Sequence, residues 1–161
     1  MKLNLGCGEN KIAGFINVDI RKEVNPDQVC DIRKLEFVED SSCETIYASH
    51  VLEHFPEWQV RPILYEWKSK LQESGQLILV LPDFEETCKY CGMAFESKQY
   101  HKVNRHVGSI LGNQDYPQNF HFTLFWDKKI ISILKEVGFR APFCEKKYID
   151  TYYCLYAKGM K

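Results

Sequence analysis

The strongest chemical signal lies at the start of the chain. Leu3-Asn4-Leu5-Gly6-Cys7-Gly8 runs a short apolar segment straight into two glycines. In a parallel sheet, ligands settle outside the carboxyl ends of the strands. A glycine there lets the backbone turn sharply and lets a ligand approach without meeting a Cβ. Asp19 ends the next apolar segment, Phe15-Ile16-Asn17-Val18-Asp19, where its carboxylate could accept from both hydroxyls of a ribose. Asp31, after Gln28-Val29-Cys30, falls further along the same edge, where an adenine would lie. A lone Gly-x-Gly after a strand is also what a plain tight turn looks like. The acids that follow in step point it toward a nucleoside.

Two other clusters compete for attention. His50-Val51-Leu52-Glu53-His54 matches the H-x-x-E-H metal pattern, in which two histidines share a helical face and the glutamate acts as base. No third ligand is evident, and helix capping or plain hydrogen bonding would also account for Glu53 and His54. Cys88-Lys89-Tyr90-Cys91 with His101 and His106 has a zinc-finger-like spacing with a short central gap. Phe84, Cys88, Cys91 and Phe95, however, recur at helical intervals, which makes the thiols small core residues on an apolar face. The expectation is therefore no bound metal. Cys7 is assigned to packing or backbone contact. His121, between Phe120 and Phe122, sits where a loop could swing over a site, as a general base or as a satisfied loop histidine. Phe122, Phe125 and Trp126 read as aromatic core under the last helix.

The elements that must position these residues alternate between strand and helix, which predicts an α/β fold with a largely parallel sheet. Strands are expected at Lys2–Leu5, Phe15–Asp19, Gln28–Cys30, Thr45–Ser49 and Gln76–Leu81, the last a continuous apolar run suited to a central strand. Val60, Ile63, Leu64, Trp67 and Leu71 repeat at helical spacing, with Pro62 placed in the first turn. Asp83 reads as the N-cap of a second helix, with Glu86 as its capping-box partner. A third helix begins near Asp127, buries Ile130, Ile131, Leu134 and Val137, and stops at Gly138. Two more strands are expected near Phe143–Lys147 and Tyr152–Ala157. The stretch Ser97–Phe122 is polar and rich in His and Asn. It reads as a long irregular segment, a lid or substrate loop or else a surface insertion.

A length of 161 residues predicts one domain spanning 1–161. Lys and Arg total 21 against 22 Asp and Glu, for a net charge of −1, which argues against a nucleic-acid partner. No apolar run approaches the ~18 residues that a membrane span needs, and the N-terminus lacks the pattern of a signal peptide. The seven cysteines are an odd number, which fits free thiols and a cytoplasmic location better than a disulfide framework.

Taken in order, Leu3-Asn4-Leu5-Gly6-Cys7-Gly8, Asn17-Val18-Asp19, Cys30-Asp31-Ile32, Tyr47-Ala48-Ser49-His50-Val51-Leu52-Glu53-His54-Phe55 and Gly75-Gln76-Leu77-Ile78-Leu79-Val80-Leu81-Pro82-Asp83 resemble the class I S-adenosylmethionine-dependent methyltransferases. The chain is most similar to small type 11-like members found among sugar- and cell-surface-related genes. The resemblance is strong over Lys2 to Phe84 and continues weakly through Lys135-Glu136-Val137-Gly138-Phe139. It implies a Rossmann-like sheet of order 3-2-1-4-5-7-6 with the last strand antiparallel, and S-adenosylmethionine as cofactor. By the same resemblance, the backbone from Leu5 through Gly6, Cys7 and Gly8 packs on the methionine and ribose. Asp19 holds the ribose hydroxyls, Asp31 takes the adenine amino group, and Ile32 flanks the ring. Ser49 and His50 face the sulfonium end. His50, Asp83 and His121 are then the candidate bases for methyl transfer to an oxygen or nitrogen of a small-molecule or glycan-like acceptor.

The sequence departs from that family in two places. Only nine residues, Gly6 to Gly14, separate the first two strands, where a parallel crossover usually takes a dozen or more. The first helix is therefore truncated to a turn or two around Glu9–Ala13. That argues against a dinucleotide, whose pyrophosphate relies on a helix N-terminus. Many relatives also carry a helix before the first strand, and without one the cofactor would be more exposed or covered by a second copy in a homo-oligomer. Two further readings stand beside the enzyme: a non-catalytic or partner-dependent cofactor-binding relative, and a zinc-dependent hydrolase or zinc module.

Overall fold

The central strands of the sheet follow from apolar runs bounded by turn residues and bury apolar side chains on both faces. The structure, a computed structural model, describes residues 1–149 and 152–161, with 104 and 105 described by backbone alone. Strands β1 (Lys2–Leu5), β2 (Ile16–Asp19), β3 (Gln28–Val29), β4 (Cys43–Ser49), β5 (Leu71–Pro82), β6 (Arg140–Ile149) and β7 (Tyr152–Met160) form one sheet in the order β3-β2-β1-β4-β5-β7-β6. The first five run parallel, and β7 is antiparallel to both of its neighbours. Leu3, Leu5, Ile46, Leu77 and Leu79 are wholly buried in the middle of it, as a sheet covered on both faces requires. This is the sheet order that the resemblance implied.

Helices α1 (Glu57–Lys70), α2 (Phe84–Glu96), α3 (Tyr100–Leu111) and α4 (Asp127–Val137) complete the fold. α1 begins earlier than its apolar spacing indicates, so Pro62 lies inside the helix rather than in its first turn. The buried face of α4 is Ile130, Ile133, Leu134 and Val137, a strict i, i+3, i+4, i+7 stripe, which leaves Ile131 only half-buried. Gly138 ends the helix in the left-handed region at φ 86°, as expected. On α2 the buried residues are Thr87, Cys91 and Ala94; Cys88 and Phe95 face solvent, because the stripe is set one residue away from the one expected. The irregular stretch expected over Ser97–Phe122 is in large part helix α3, packed on α2. It escaped notice because its inward positions are Val103, His106 and Ile110, a face whose most buried member is a histidine.

The first crossover holds no helix at all, not even the truncated one expected. Side chains replace it. Asn4 and Asn17 are paired across β1 and β2 and buried. Asn4 Nδ2 donates to Asn17 Oδ1 at 2.9 Å and to the Asn10 carbonyl at 3.0 Å, and the Ile12 amide donates to Asn17 Oδ1 at 2.8 Å. Asn17 Nδ2 in turn reaches Asp27 Oδ2 at 2.7 Å. Two buried amides thus satisfy the polar groups of the turn that a helix would otherwise have satisfied internally.

Candidate functional site

The carboxyl ends of β1, β2 and β4 open into a cleft of about 410 Å³. Its floor is Gly6, at φ 64°. A Cβ there would lie 2.5 Å from Val51 Cγ2, so the sharp exit from β1 and the close passage of the segment after β4 both require glycine. Asp19, at the end of β2, is almost fully buried. Its Oδ2 accepts from the Gly8 amide at 2.8 Å, and its Oδ1 accepts from the Arg21 amide at 2.9 Å and from Arg21 Nε at 3.3 Å. The carboxylate is thereby fixed in orientation and still has lone-pair capacity facing the cleft.

Asp31 and Ile32 line the same cleft further along the edge. Their loop is pinned from behind: Trp67 Nε1 on α1 donates to the Ile32 carbonyl at 2.8 Å, and the Leu35 amide donates to Glu66 Oε1 at 2.9 Å. Arg33 grips the Asp31 carboxylate in a fork, with contacts of 2.9 Å and 2.6 Å to Oδ2. Those hydrogen bonds hold Asp31 below the usual carboxylate range. The sequence reading missed Arg21 and Arg33, although the signal was there: Asp19-Ile20-Arg21 and Asp31-Ile32-Arg33 are the same tripeptide at successive strand ends. It also missed Tyr116, whose ring lies 4.4 Å beneath the Arg21 guanidinium and closes the rim of the cleft with Pro117. No local pattern marks a residue so far along the chain.

His50 sits at the mouth. It lies just past β4 at φ 54°, an uncommon conformation for a residue with a side chain, and its amide donates to the Val80 carbonyl at 2.8 Å. A second cavity of about 220 Å³ adjoins the first, and His50, His54 and Tyr116 line both. His121 lines the second. His50 Nδ1 is 3.3 Å from Glu53 Oε1. Burial opposes charging His50, but the Cys154 thiol and the Glu53 carboxylate outweigh it and push its pKa well up. Burial likewise opposes ionisation of Glu53, and the neighbouring His50 overcomes it, so Glu53 is held low. Burial lowers the pKa of His121 and keeps its ring neutral.

The remaining expected residues are placed differently. Leu5 and Cys7 are buried behind the cleft, and burial followed by the charge of Asp19 raises the Cys7 thiol, which suits packing. Ser49 is half-buried and, like Gly8, lies outside the lining of the cleft. Asp83 has no accessible surface and lines neither cavity. Its Oδ1 caps α2 by accepting from the Glu85 and Glu86 amides at 3.0 and 3.3 Å, while Lys146 stands 3.5 Å from Oδ2. Glu86 turns to Lys89 and Lys146 instead of closing a capping box. The helical face expected to join His50 and His54 is a single 3-10 turn, Leu52–His54, with His50 ahead of it. Cys88, Cys91, His101 and His106 do not converge as a metal set among the described residues. His106 is instead buried against Tyr90, with ring centroids 4.2 Å apart.

No family profile matches the chain, and no curated protein matches it in sequence. Solved structures do. A SAM-dependent methyltransferase from Archaeoglobus fulgidus superposes with a TM-score of 0.70 at 17% identity, over 99% of this chain and 85% of that one. A SAM-dependent methyltransferase from Methanosarcina mazei gives 0.65 at 18% identity, over 99% and 91%. The Burkholderia thailandensis 1,6-didemethyltoxoflavin-N1-methyltransferase, with bound 1,6-didemethyltoxoflavin and S-adenosylhomocysteine, gives 0.65 at 11% identity, over 99% and 70%. The likeness is one of fold, and the fold is that of the class I methyltransferases.

Proposed function

We propose that this protein is an S-adenosylmethionine-dependent methyltransferase acting on an oxygen or nitrogen of a small-molecule or glycan-like acceptor. The observation that carries the reading is Asp19, a buried carboxylate oriented by three N–H contacts at the end of β2, beside a floor where no Cβ fits. The cleft suits the cofactor in size, since pockets for such molecules run from about 300 to 1,000 Å³. In it, Gly6 flanks the methionine and ribose, with Asp19 on the ribose hydroxyls, while Leu5, Cys7 and Gly8 hold that floor in place from outside the lining. Asp31 and Ile32 take the adenine, and Ser49 supports the strand end beside the sulfonium. Nicotinamide dinucleotides fit poorly, because no helix follows β1 to receive a pyrophosphate.

The bound cofactor supplies an activated methyl group. The protein supplies position: His50 and Tyr116 stand where the two cavities meet, so an acceptor in the second is held in line with the first. His121 faces that acceptor as a neutral base. Asp83 acts through the fold by capping α2 rather than by touching the acceptor. The non-helical residues 112–120 carry Tyr116 and act as the lid. Titration calorimetry with S-adenosylmethionine and S-adenosylhomocysteine tests this reading. One site for each is expected. No heat from either at millimolar concentration overturns the reading, and binding without turnover of any acceptor favours a partner-dependent relative.

A further inference from the structure

Three histidines, His50, His54 and His121, line the second cavity, and the buried carboxylate of Glu53 stands beside them. His50, Glu53 and His54 come from the segment after β4, and His121 comes from the chain ahead of α4. Glu53 is only 1% exposed, and neither of its carboxylate oxygens has a well-formed hydrogen bond. A buried carboxylate left in that state calls for a cation. His50 stands near enough to serve in part, 3.3 Å from one oxygen.

The two other histidines are already oriented. His54 Nδ1 lies 3.0 Å from the Phe120 carbonyl, and His121 Nδ1 lies 3.2 Å from the Ser109 carbonyl. A carbonyl only accepts, so each Nδ1 carries the proton and each Nε2 presents a bare lone pair. A backbone or carboxylate acceptor behind the ring is the arrangement that fixes a histidine as a metal ligand. The rings stand edge-on with centroids 4.9 Å apart. Ligand atoms of Glu53, His54 and His121 all lie within 4.8 Å of one another. Metal bonds of about 2.0–2.2 Å at tetrahedral angles put ligand atoms roughly 3.3–3.6 Å apart, so side-chain rotations that close the set by up to about 1.4 Å complete the site.

The backbone holds this geometry without help from an ion. The Phe122 and Thr123 amides donate to the Glu53 carbonyl at 2.8 and 3.2 Å, and Thr123 Oγ1 donates to the Phe55 carbonyl at 2.7 Å. At His50-Val51-Leu52-Glu53-His54 the sequence expectation of no metal rested in part on the lack of a third ligand. The fold supplies one in His121.

We propose that Glu53, His54 and His121 bind a divalent transition-metal ion, with its open positions toward the second cavity. Two imidazole nitrogens and one carboxylate suit zinc, manganese, cobalt or iron(II) rather than magnesium or calcium, which take oxygen ligands. His50 is a positioning residue, balancing the Glu53 charge when no ion is bound. Resting on the methyltransferase reading, the ion assigns the acceptor as an oxygen nucleophile. With the ion bound, His121 serves as a ligand rather than as the base, and a hydroxyl coordinated there gives its proton to water more readily. Its oxygen then bonds to the methyl carbon, and the S–CH3 bond breaks with its pair returning to sulfur.

The test uses the full chain stripped of metal, with no cofactor present. Zn2+ titration calorimetry should show one site. His54→Ala and His121→Ala should each weaken it by at least about 10- to 100-fold, the loss that even changes behind a ligand produce. Cys88→Ser should leave it unchanged. Co2+ absorption should show weak d–d bands without thiolate charge-transfer bands, and it reads the ligand type in the wild-type protein even if a variant fails to fold. No Zn2+ binding up to millimolar, folded histidine variants that bind as wild type does, or thiolate bands with Co2+ would each overturn the proposal. S-adenosylhomocysteine titrated in parallel separates the two readings: cofactor binding without Zn2+ binding removes only the metal, and the converse removes only the methyltransferase assignment.

Discussion

Replacing Asp19 with alanine removes the acceptor for the Gly8 and Arg21 amides as well as the one proposed for a ribose. Leaving such N–H groups unpaired costs about 1–3 kcal/mol of stability each, a sizeable part of the roughly 5–15 kcal/mol that holds a domain folded. Comparing affinities of wild type and variant for one ligand would therefore mix folding with recognition. Comparing two ligands on each protein avoids this. A hydrogen bond to a charged group contributes about 1.5–3 kcal/mol, which at 1.4 kcal/mol per decade is roughly 10- to 150-fold in affinity. Wild type should prefer S-adenosylhomocysteine to its 2′-deoxy analogue by that factor in titration calorimetry. In Asp19→Ala the preference should collapse toward unity, whatever the absolute affinities. The lone pairs remaining beside the Arg21 contacts are what the argument relies on. If the variant keeps an undiminished preference for the 2′-hydroxyl, Asp19 does not hold the ribose and the assignment of the cleft is wrong.

Gly6→Ala should be destabilising by about 2–5 kcal/mol, combining roughly 1–2 for the left-handed backbone with about 1–3 for overpacking on Val51. Val51→Ala in the same chain should restore the overpacking part alone, and urea midpoints that show no coupling between the two sites would refute the contact. Hydrogen bonds from Lys146 and then Lys89 hold Glu85 down at about 2. A carboxylate depressed in this way stabilises the fold above its unfolded pKa, near 4.3, and the effect fades as pH falls from there toward about 2. Glu85→Gln should flatten that part of the acid limb in urea midpoints measured against pH, slightly because the pair is solvent-exposed, and an unchanged limb would count against the pairing. Amides of residues 112–120 should exchange hydrogen faster than those of β5 in the free protein and slow when S-adenosylhomocysteine is added; protection equal to that of β5 without ligand would make this segment fixed structure rather than a lid.

The sequence by itself determined the succession of strands along the chain and the edge on which the cleft opens, while the order of strands within the sheet came from the family resemblance. Glycines at Gly6 and Gly8, acids at Asp19 and Asp31, and the apolar run to Leu81 are local signals. Local backbone chemistry favours them: a positive φ is adopted most readily by glycine, and a strand buried on both faces needs an apolar run. The faces of α1, α2 and α4 were legible with a residue or so misplaced, whereas α3 was not recognised as a helix. Ile133 rather than Ile131 is buried because packing on the sheet selects the stripe, while spacing alone admits both. Only the tertiary structure decided what stands opposite what. It kept Asp83 as the cap that the sequence had read and buried it away from both cavities, which removes it as the base that the sequence had also offered. It replaced a crossover helix with the Asn4–Asn17 network, which depends on strand register. It carried Tyr116 over Arg21, and His121 to Glu53 and His54. Contacts between distant segments depend on how the chain is folded in three dimensions, and no periodicity of 2 or 3.6 residues encodes them.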